Sequence, residues 1–204
     1  MIVFDIETCP IYQEYGDLPE RYRLSWDYHC ERRDLGDPAE AYERWAGLDA
    51  IMSKVVCIST IDDNDEVRSF YGNDERRVLA RFSHFLMSQG SGVQLGGHYI
   101  LGFDIPFLLR RMLIHGIHIP TSLDIRDRKP WELKHIVDSY ELWRMNTRSS
   151  ASLVSLCVAF GIPSPKDDIS GADVKRVWYS GDHERVVRYC EADVIATKKV
   201  IEHL

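Results

Sequence analysis

The chain has 204 residues, a net charge of −7 and ordinary hydrophobic and charged fractions, which indicate one globular domain with a sizeable core. The excess of acidic residues argues weakly against a protein that coats nucleic acid through a basic surface. The apolar runs are too short to cross a membrane, and the first residues lack the basic start of a signal peptide. Five widely spaced cysteines favour reduced core thiols, so we expect a cytoplasmic protein.

The first predicted element is a strand over residues 2–6, within the stretch VFDIET. Its apolar and β-branched residues favour a buried strand, but Asp5 and Glu7 interrupt the pattern. Side chains two positions apart on a strand point to the same face, so these carboxylates lie side by side. The strand is therefore either an edge strand with a solvated face or a central strand that borders a charged site.

The next segment, residues 11–50, is polar and permissive for helices, with breaks at its prolines and at Gly36. It contains ten acidic residues against five arginines, so it carries most of the net negative charge. We expect one chain-long domain, residues 1–204, in which residues 11–50 form a helical insertion or lid.

The remaining elements alternate between strands and helices. SKVVCISTID and EVRSFYG predict a β-hairpin, and the following helical repeat would be capped by Asn73 or Asp74. GVQLGGHYI predicts a strand, followed by a helix with Pro106 in its first turn and Gly116 at its end. KHIVDSYELW predicts another strand, and two further helices follow, the first ending at Gly161. This order predicts an α/β fold with a mixed central sheet flanked by helices.

Two further positions place acids where the pattern favours apolar residues. Asp104 lies in GFDIPFL at a strand-to-helix junction, where it could simply cap the helix. Asp193 lies in YCEADVIA, with Tyr189 one helical turn earlier, and the two could be a surface pair.

If these acids converge with the pair on the first strand, cations must offset their charge, because burying several anions together is costly. Oxygen ligands select hard ions such as Mg²⁺ or Mn²⁺, and two such ions about 3.5–4 Å apart suit displacement at phosphorus.

FDIET, GHYILGFDIPF and YCEAD resemble, in this order, the three motifs of the DEDD superfamily of 3′–5′ exonucleases. The Tyr-x-x-x-Asp pattern of the third motif marks the DEDDy subgroup. The second motif is similar to that of the exonuclease domains of family B DNA polymerases. The stretch before the third motif resembles a bacterial group of predicted exonucleases related to those domains.

The resemblance implies a ribonuclease-H-like fold with the VFDIET strand at the centre of the sheet. It implies that Asp5, Glu7, Asp104 and Asp193 bind two divalent ions, Mg²⁺ or Mn²⁺, with Asp5 bridging them. It also implies that Tyr189 orients the attacking water, since a phenol with a pKa of about 10 is a poor base near neutral pH.

One position departs from the family pattern. The second motif commonly has Asn where this chain has Tyr99, so the preference for strand or base is open. A tyrosine there could stack on a terminal base or pack in the core. We expect Thr8, Tyr99, Phe103 and Lys166 to contact the substrate.

The sequence therefore predicts a metal-dependent 3′–5′ exonuclease that hydrolyses single-stranded nucleic acid to nucleoside 5′-monophosphates. The protein would bind the 3′ end of a single strand, and we expect DNA rather than RNA. The alternatives are an RNA-trimming exonuclease and a non-catalytic module that binds nucleic acid and retains the fold. A role in proofreading or DNA repair would require a separate polymerase or repair partner.

Overall fold

A computed structural model of the chain describes residues 1–90, 92–165 and 168–204. Within these ranges, five strands form one mixed sheet: β1 (Ile2–Pro10), β2 (Ser53–Ile61), β3 (Val67–Tyr71), β4 (Leu95–Gly97) and β5 (Ile136–Asp138). Eight α-helices occur in the same described residues: α1 (Glu20–Arg33), α2 (Pro38–Trp45), α3 (Glu75–Ser88), α4 (Asp104–His115), α5 (Ser139–Arg144), α6 (Leu153–Phe160), α7 (Val174–Tyr179) and α8 (His183–His203).

Strand β1 lies at the centre of the sheet, whose order is β3-β2-β1-β4-β5. It pairs with β2 antiparallel and with β4 parallel, while β2 pairs with β3 antiparallel and β4 with β5 parallel. The interpretation of β1 as an edge strand is therefore wrong. The mixed sheet with its helices confirms the predicted α/β, ribonuclease-H-like architecture.

The two faces of β1 have different partners because side chains alternate along a strand. Phe4 and Ile6 point into the main core, which also contains apolar residues of α3 and α4. Val3 and Cys9 point to the opposite face and pack against α8. Asp5 shares that second face, since it lies between Val3 and Cys9 in the alternation, and so does Glu7.

The predicted helix boundaries agree with the structure at three places. Asp74 caps α3, because its side chain accepts a hydrogen bond from the backbone N–H of Arg77. Helices α4 and α6 end at Gly116 and Gly161, which adopt the left-handed conformation that glycine reaches without strain.

The prediction of a strand across KHIVDSYELW is correct for its first half and wrong for its second half. Strand β5 ends at Asp138, and α5 begins at the next residue. The Asp138 side chain accepts a hydrogen bond from the backbone N–H of Tyr140, which is the N-cap interaction that starts a helix. The β-branched residues before Asp138 masked this start in the sequence pattern.

Residues 11–50 contain α1 and α2 and leave the sheet from a hairpin stem. The Ile11 N–H donates to the Met52 carbonyl at 2.8 Å, and Pro10 faces Ser53 in the β1–β2 register. The chain therefore enters and leaves this segment at adjacent points. The segment has a small core of its own, formed by Leu18, Trp26, Cys30, Ala41, Tyr42, Ala46 and Met52.

Contacts from α7 hold residues 11–50 against the sheet. The ammonium group of Lys175 forms ion pairs with Glu43 and Glu14. The Tyr179 hydroxyl donates to the carbonyls of Pro10 and Ile11 at 2.8 and 2.9 Å. These contacts fix the segment beside the second half of β1, next to the carboxylates of Asp5 and Glu7.

All five cysteines are buried and have free thiols, in agreement with reduced core residues. Over the residues that the structure describes, no helix combines the length and the apolar character needed to span a membrane.

Candidate active site

Strand β1 presents Asp5 and Glu7 on the face that packs against α8. A bulge in β2 lies beside them: Glu7 faces Cys57 and Thr8 faces Val55, so Val56 is the extra residue. Bulges bend a strand and increase its twist locally, and they are frequent next to active sites. The central strand thus fixes the direction of both carboxylates.

Asp104 comes to the same place from the start of α4. It is the first residue of the helix, and the N-cap position belongs to Phe103, so Asp104 does not act as the cap. Its Oδ1 atom instead accepts a hydrogen bond from the Ile6 backbone N–H at 3.1 Å, although the two residues are 98 positions apart. This bond fixes the start of α4 beside the middle of β1.

Helix α8 supplies Tyr189 and Asp193, which lie one turn apart on the same face. Cys190 lies between them in sequence and contacts β1. Its Sγ atom donates to the Asp5 carbonyl and lies 3.5 Å from Asp5 Oδ2. The packing of α8 on β1 therefore brings Tyr189 and Asp193 to the carboxylates of Asp5 and Glu7.

We refer to Asp5, Glu7, Asp104 and Asp193 as the acidic cluster. Glu7, Asp104 and Asp193 are only 8, 4 and 7 % exposed. Burial raises the pKa of Asp5 well above its usual value, and the charges of Asp104, Asp193 and Glu7 raise it further. Each of these negative charges therefore disfavours ionisation of Asp5, as expected for carboxylates held close together.

The other groups of the site are perturbed in the same direction. Burial raises the pKa of Asp104 to about 7, although its hydrogen bond from Ile6 opposes that rise. Burial, followed by the charges of Glu7, Asp193 and Asp5, also raises the pKa of Tyr189, so its hydroxyl keeps its proton at neutral pH. The pKa of Cys190 is likewise raised by burial, which keeps it a thiol.

The donor set of the acidic cluster fits hard divalent cations. Ligand atoms of Asp5, Glu7 and Cys190 lie within 4.8 Å of one another, a separation that one ion can bridge. Because Cys190 is a protonated thiol, the available charged donors are carboxylate oxygens, which suit Mg²⁺ or Mn²⁺. A cation would also offset the repulsion that raises the pKa of Asp5.

Two clefts in the described part of the chain meet at Asp5, Tyr189 and Asp193. The first cleft has a volume of about 410 Å³ and is bounded by the end of the 11–50 segment and by α7. The second has a volume of about 420 Å³ and lies between the loop after β4, α5 and the start of α6. Asp5, Asp193 and Tyr189 thus form the floor that both clefts share, and Glu7 lines the first cleft only.

The structure distributes the predicted substrate residues between the clefts. Thr8 and Phe103 line the first cleft, together with Arg44 and Lys175. Tyr99 lines the second cleft and is 45 % exposed, so its side chain is not packed in the core. Lys166 lies outside the described residues.

Sequence reasoning missed several residues that shape these clefts. Asp138 is buried, and its charge raises the pKa of Asp104. Tyr140 lines the second cleft, while Arg44 lines the first. An acid directly after apolar and β-branched residues, as in HIVD, was the available signal for Asp138, and Asp5 follows similar residues in IVFD.

The central strand, its flanking helices and the buried acidic cluster define an α/β protein of the ribonuclease-H-like class. The chain belongs to the family described as a predicted 3′–5′ exonuclease related to the exonuclease domain of PolB, whose model matches residues 47–200. This confirms the resemblance to the DEDD exonuclease superfamily. The bacterial affiliation stays a prediction.

Two archaeal proteins are similar to this chain in sequence, and a third, described below, is similar in structure. A DNA polymerase of Archaeoglobus fulgidus is 24 % identical over 157 residues, which cover 74 % of this chain and 20 % of the polymerase. An uncharacterized protein of Methanocaldococcus jannaschii is 26 % identical over 160 residues, which cover 78 % of this chain and 81 % of that protein.

The structure of the family B DNA polymerase from Pyrobaculum calidifontis matches the whole chain with a TM-score of 0.68 and 20 % identity, and the match covers 24 % of the polymerase. The chain therefore spans about a fifth to a quarter of the two polymerases, and this structural match identifies the fold.

Proposed function

We propose that the protein is a metal-dependent 3′–5′ exonuclease that hydrolyses single-stranded nucleic acid, DNA in preference to RNA, to nucleoside 5′-monophosphates. The observation that carries this proposal is the convergence of Asp5, Glu7, Asp104 and Asp193 with Tyr189, where Asp5, Asp193 and Tyr189 line both clefts. Membership of a family related to a polymerase exonuclease domain supports the direction of cleavage.

The acidic cluster would hold two divalent ions, with Asp5 as the ligand shared between them because its charge interacts with all three other carboxylates. When bound, the ions would supply positive charge at the scissile phosphate and lower the pKa of the attacking water. The four carboxylates hold this arrangement rigidly, since they come from a central strand and two buried helical segments.

Tyr189 would position the attacking water rather than take its proton. Its pKa is raised by burial and by the neighbouring carboxylates, so the hydroxyl is a hydrogen-bond donor and acceptor and never a useful base near neutral pH. Its position one turn before Asp193 directs the hydroxyl towards the acidic cluster.

The two clefts suit a single strand. Arg44 and Lys175 line the first cleft and place positive charge where phosphates of the strand can bind. Relatives named as DNA polymerases favour DNA as the substrate. A polymerase or repair protein supplied separately would be the partner in a proofreading role.

The test uses single-stranded DNA and RNA of equal sequence, labelled at the 5′ end, with Mg²⁺, Mn²⁺ or EDTA. The expected result is a ladder that shortens from the 3′ end of DNA and disappears with EDTA and in Asp193→Asn. Glu202→Gln is the matched control, because Glu202 is an exposed acid on the same helix.

A faster reaction on RNA would identify an RNA-trimming enzyme instead. Binding of either strand without cleavage under any metal would contradict the enzymatic proposal and favour a binding module.

A further inference from the structure

The second cleft contains a pair of tyrosines whose backbones are fixed by one buried carboxylate. The side chain of Asp138 accepts hydrogen bonds from the backbone N–H groups of Tyr99 at 2.8 Å, Leu101 at 3.0 Å and Tyr140 at 3.0 Å. Asp138 therefore connects the loop after β4 with the start of α5. Tyr99 belongs to the first of these segments and Tyr140 to the second.

Tyr99 adopts a backbone conformation that a tyrosine rarely takes. Its φ angle is 61°, in the left-handed region that costs a non-glycine residue about 1 kcal/mol or more. Two observations explain why the conformation persists. Asp138 binds its N–H, and its ring lies over Gly102, where an added Cβ would be 2.3 Å from the ring carbon Cζ.

Tyr140 is fixed in a similar way. Its ring makes an edge-to-face contact with Tyr99, with centroids 4.8 Å apart, and another with His98 at 5.9 Å. The His98 ring in turn bonds to the Ser139 hydroxyl at 2.9 Å. The two tyrosine rings are thus held in place before any ligand arrives, which lowers the entropy that binding must remove.

The charge of the second cleft differs from that of the first. Arg44 and Lys175 line the first cleft, whereas the described residues that line the second include no Lys or Arg, and the guanidinium of Arg144 lies 5.9 Å from the centre of the Tyr140 ring. The cations that line a cleft directly are therefore in the first cleft. The second cleft offers aromatic faces and hydroxyls beside the acidic cluster, and these groups suit an uncharged, planar ring.

We propose that Tyr99 and Tyr140 together bind a nucleobase of the substrate strand in the second cleft, and that Asp138 is the positioning residue that holds both tyrosines for this contact. The proposal rests on the proposed nuclease function. Tyr140 would then be a specificity-determining residue: the site would select strands that carry a base at this position. Any of the bases would be accepted, because every base has an aromatic face.

The test moves a single abasic residue stepwise along a single-stranded DNA, starting at the 3′ end, and measures kcat and KM with Mg²⁺. One position should raise KM by about 5- to 100-fold, the range expected for the loss of one stacked base. In Tyr140→Ala this penalty should disappear, so that intact and abasic strands have equal KM. Tyr140→Phe should retain it, since the ring remains.

Asp138→Asn and Gly102→Ala test the positioning role. Both variants should raise KM on the intact strand and bring it towards the KM of the abasic strand, because the tyrosine rings move. Tyr28→Ala is the matched control, since Tyr28 is 60 % exposed on α1 outside both clefts. A penalty that persists in folded Tyr140→Ala would overturn the proposal.

A binding measurement separates this proposal from the nuclease assignment. Calorimetric titration of the metal-free protein with deoxyadenosine monophosphate and with deoxyribose 5-phosphate requires no hydrolysis. Wild type and Tyr140→Phe should bind the nucleotide at least about 5-fold more tightly than the sugar phosphate, and Tyr140→Ala should bind both equally. Equal binding of both ligands by wild type would contradict the base contact even if the strand is cleaved.

Discussion

The Oδ1 atom of Asp104 accepts a hydrogen bond from the backbone N–H of Ile6 at 3.1 Å, between residues that are 98 positions apart. Asp104 would therefore have two roles, accepting this hydrogen bond and binding a cation, and mutation can separate them. The neutral oxygen is sufficient to bind the N–H of Ile6, whereas an ionised carboxylate is needed to bind a divalent cation.

Asp104→Asn should therefore retain the fold and lose activity. The amide oxygen can still accept from Ile6, and the loss of a metal ligand should slow cleavage by at least about 100-fold. Asp104→Ala removes both tasks and should in addition lower the free energy of unfolding by about 1–3 kcal/mol, because a buried N–H loses its acceptor. Denaturant unfolding of both variants measures the difference, and equal losses of stability would contradict the assignment.

The metal-free protein should lose stability as pH rises from about 4 to 7. Asp104 has a folded-state pKa of about 7 against 3.8 for a free carboxyl, and the pKa of Asp5 is raised as well. Across this window the folded state holds protons that the unfolded chain has released, so stability decreases with pH, by on the order of a few kcal/mol.

Thermal unfolding in EDTA at several pH values measures this dependence. Added Mg²⁺ should raise Tm most at the high end of the window, since cation binding needs the ionised carboxylates. Asp104→Asn should flatten part of the pH dependence. A Tm in EDTA that increases steadily up to pH 8 would contradict the buried acidic cluster.

Tyr189→Phe should slow cleavage by about 10- to 100-fold without weakening metal binding. The phenol contributes a hydrogen bond to the water and no metal ligand, so its loss affects alignment of the attacking group. Single-turnover rates measure the first effect, and Mn²⁺ titration followed by electron paramagnetic resonance measures the second. A parallel loss of Mn²⁺ affinity would assign Tyr189 to the metal site instead.

A buried ion pair outside both clefts should contribute strongly to the free energy of unfolding and leave the rate of cleavage unaffected. Arg111 on α4 and Glu75 on α3 are 4 and 6 % exposed and form two hydrogen bonds of 2.8 and 2.6 Å. Glu75 also accepts from the Val55 N–H at 2.8 Å, and Arg111 donates to the Ala50 carbonyl. The pair therefore joins two helices to the start of β2.

Arg111→Met should lower the free energy of unfolding by about 3–5 kcal/mol, because the buried Glu75 carboxylate loses its guanidinium and keeps only the His115 ring, at 2.7 Å, as a basic partner. Activity per folded molecule should stay unchanged, since neither residue lines the two clefts. Arg126→Met is the matched control, as Arg126 pairs with Asp124 at the surface and such pairs contribute about 1 kcal/mol or less. Urea unfolding compares the two variants.

The sequence was most informative where a local pattern determines the structure. The two carboxylates of β1 could be placed on one face from the strand period alone, and Asp74, Gly116 and Gly161 marked helix ends through their own conformational preferences. The residues of β1 left it either at an edge or at the centre of the sheet, and its central position was implied by the resemblance to the DEDD exonucleases.

The parts that could not be predicted depend on contacts between distant segments. Asp138 accepts hydrogen bonds from the backbone N–H groups of Tyr99 and Leu101, which precede it by 39 and 37 positions. No local sequence pattern encodes a contact over that separation. The same carboxylate starts α5 where β-branched residues favour a strand. The placement of Arg44 and Lys175 in one cleft depends on how residues 11–50 pack against α7, which their composition does not specify.

The hairpin stem that joins β1 to β2 has a consequence for engineering. Because Ile11 and Met52 are hydrogen-bonded neighbours, the forty residues between them can be replaced by a tight two-residue turn without stretching either strand. Such a deletion removes one wall of the first cleft and keeps all four residues of the acidic cluster. The active site and the shape of its entrance are thus encoded in separable stretches of chain, and one can be exchanged while the other is kept.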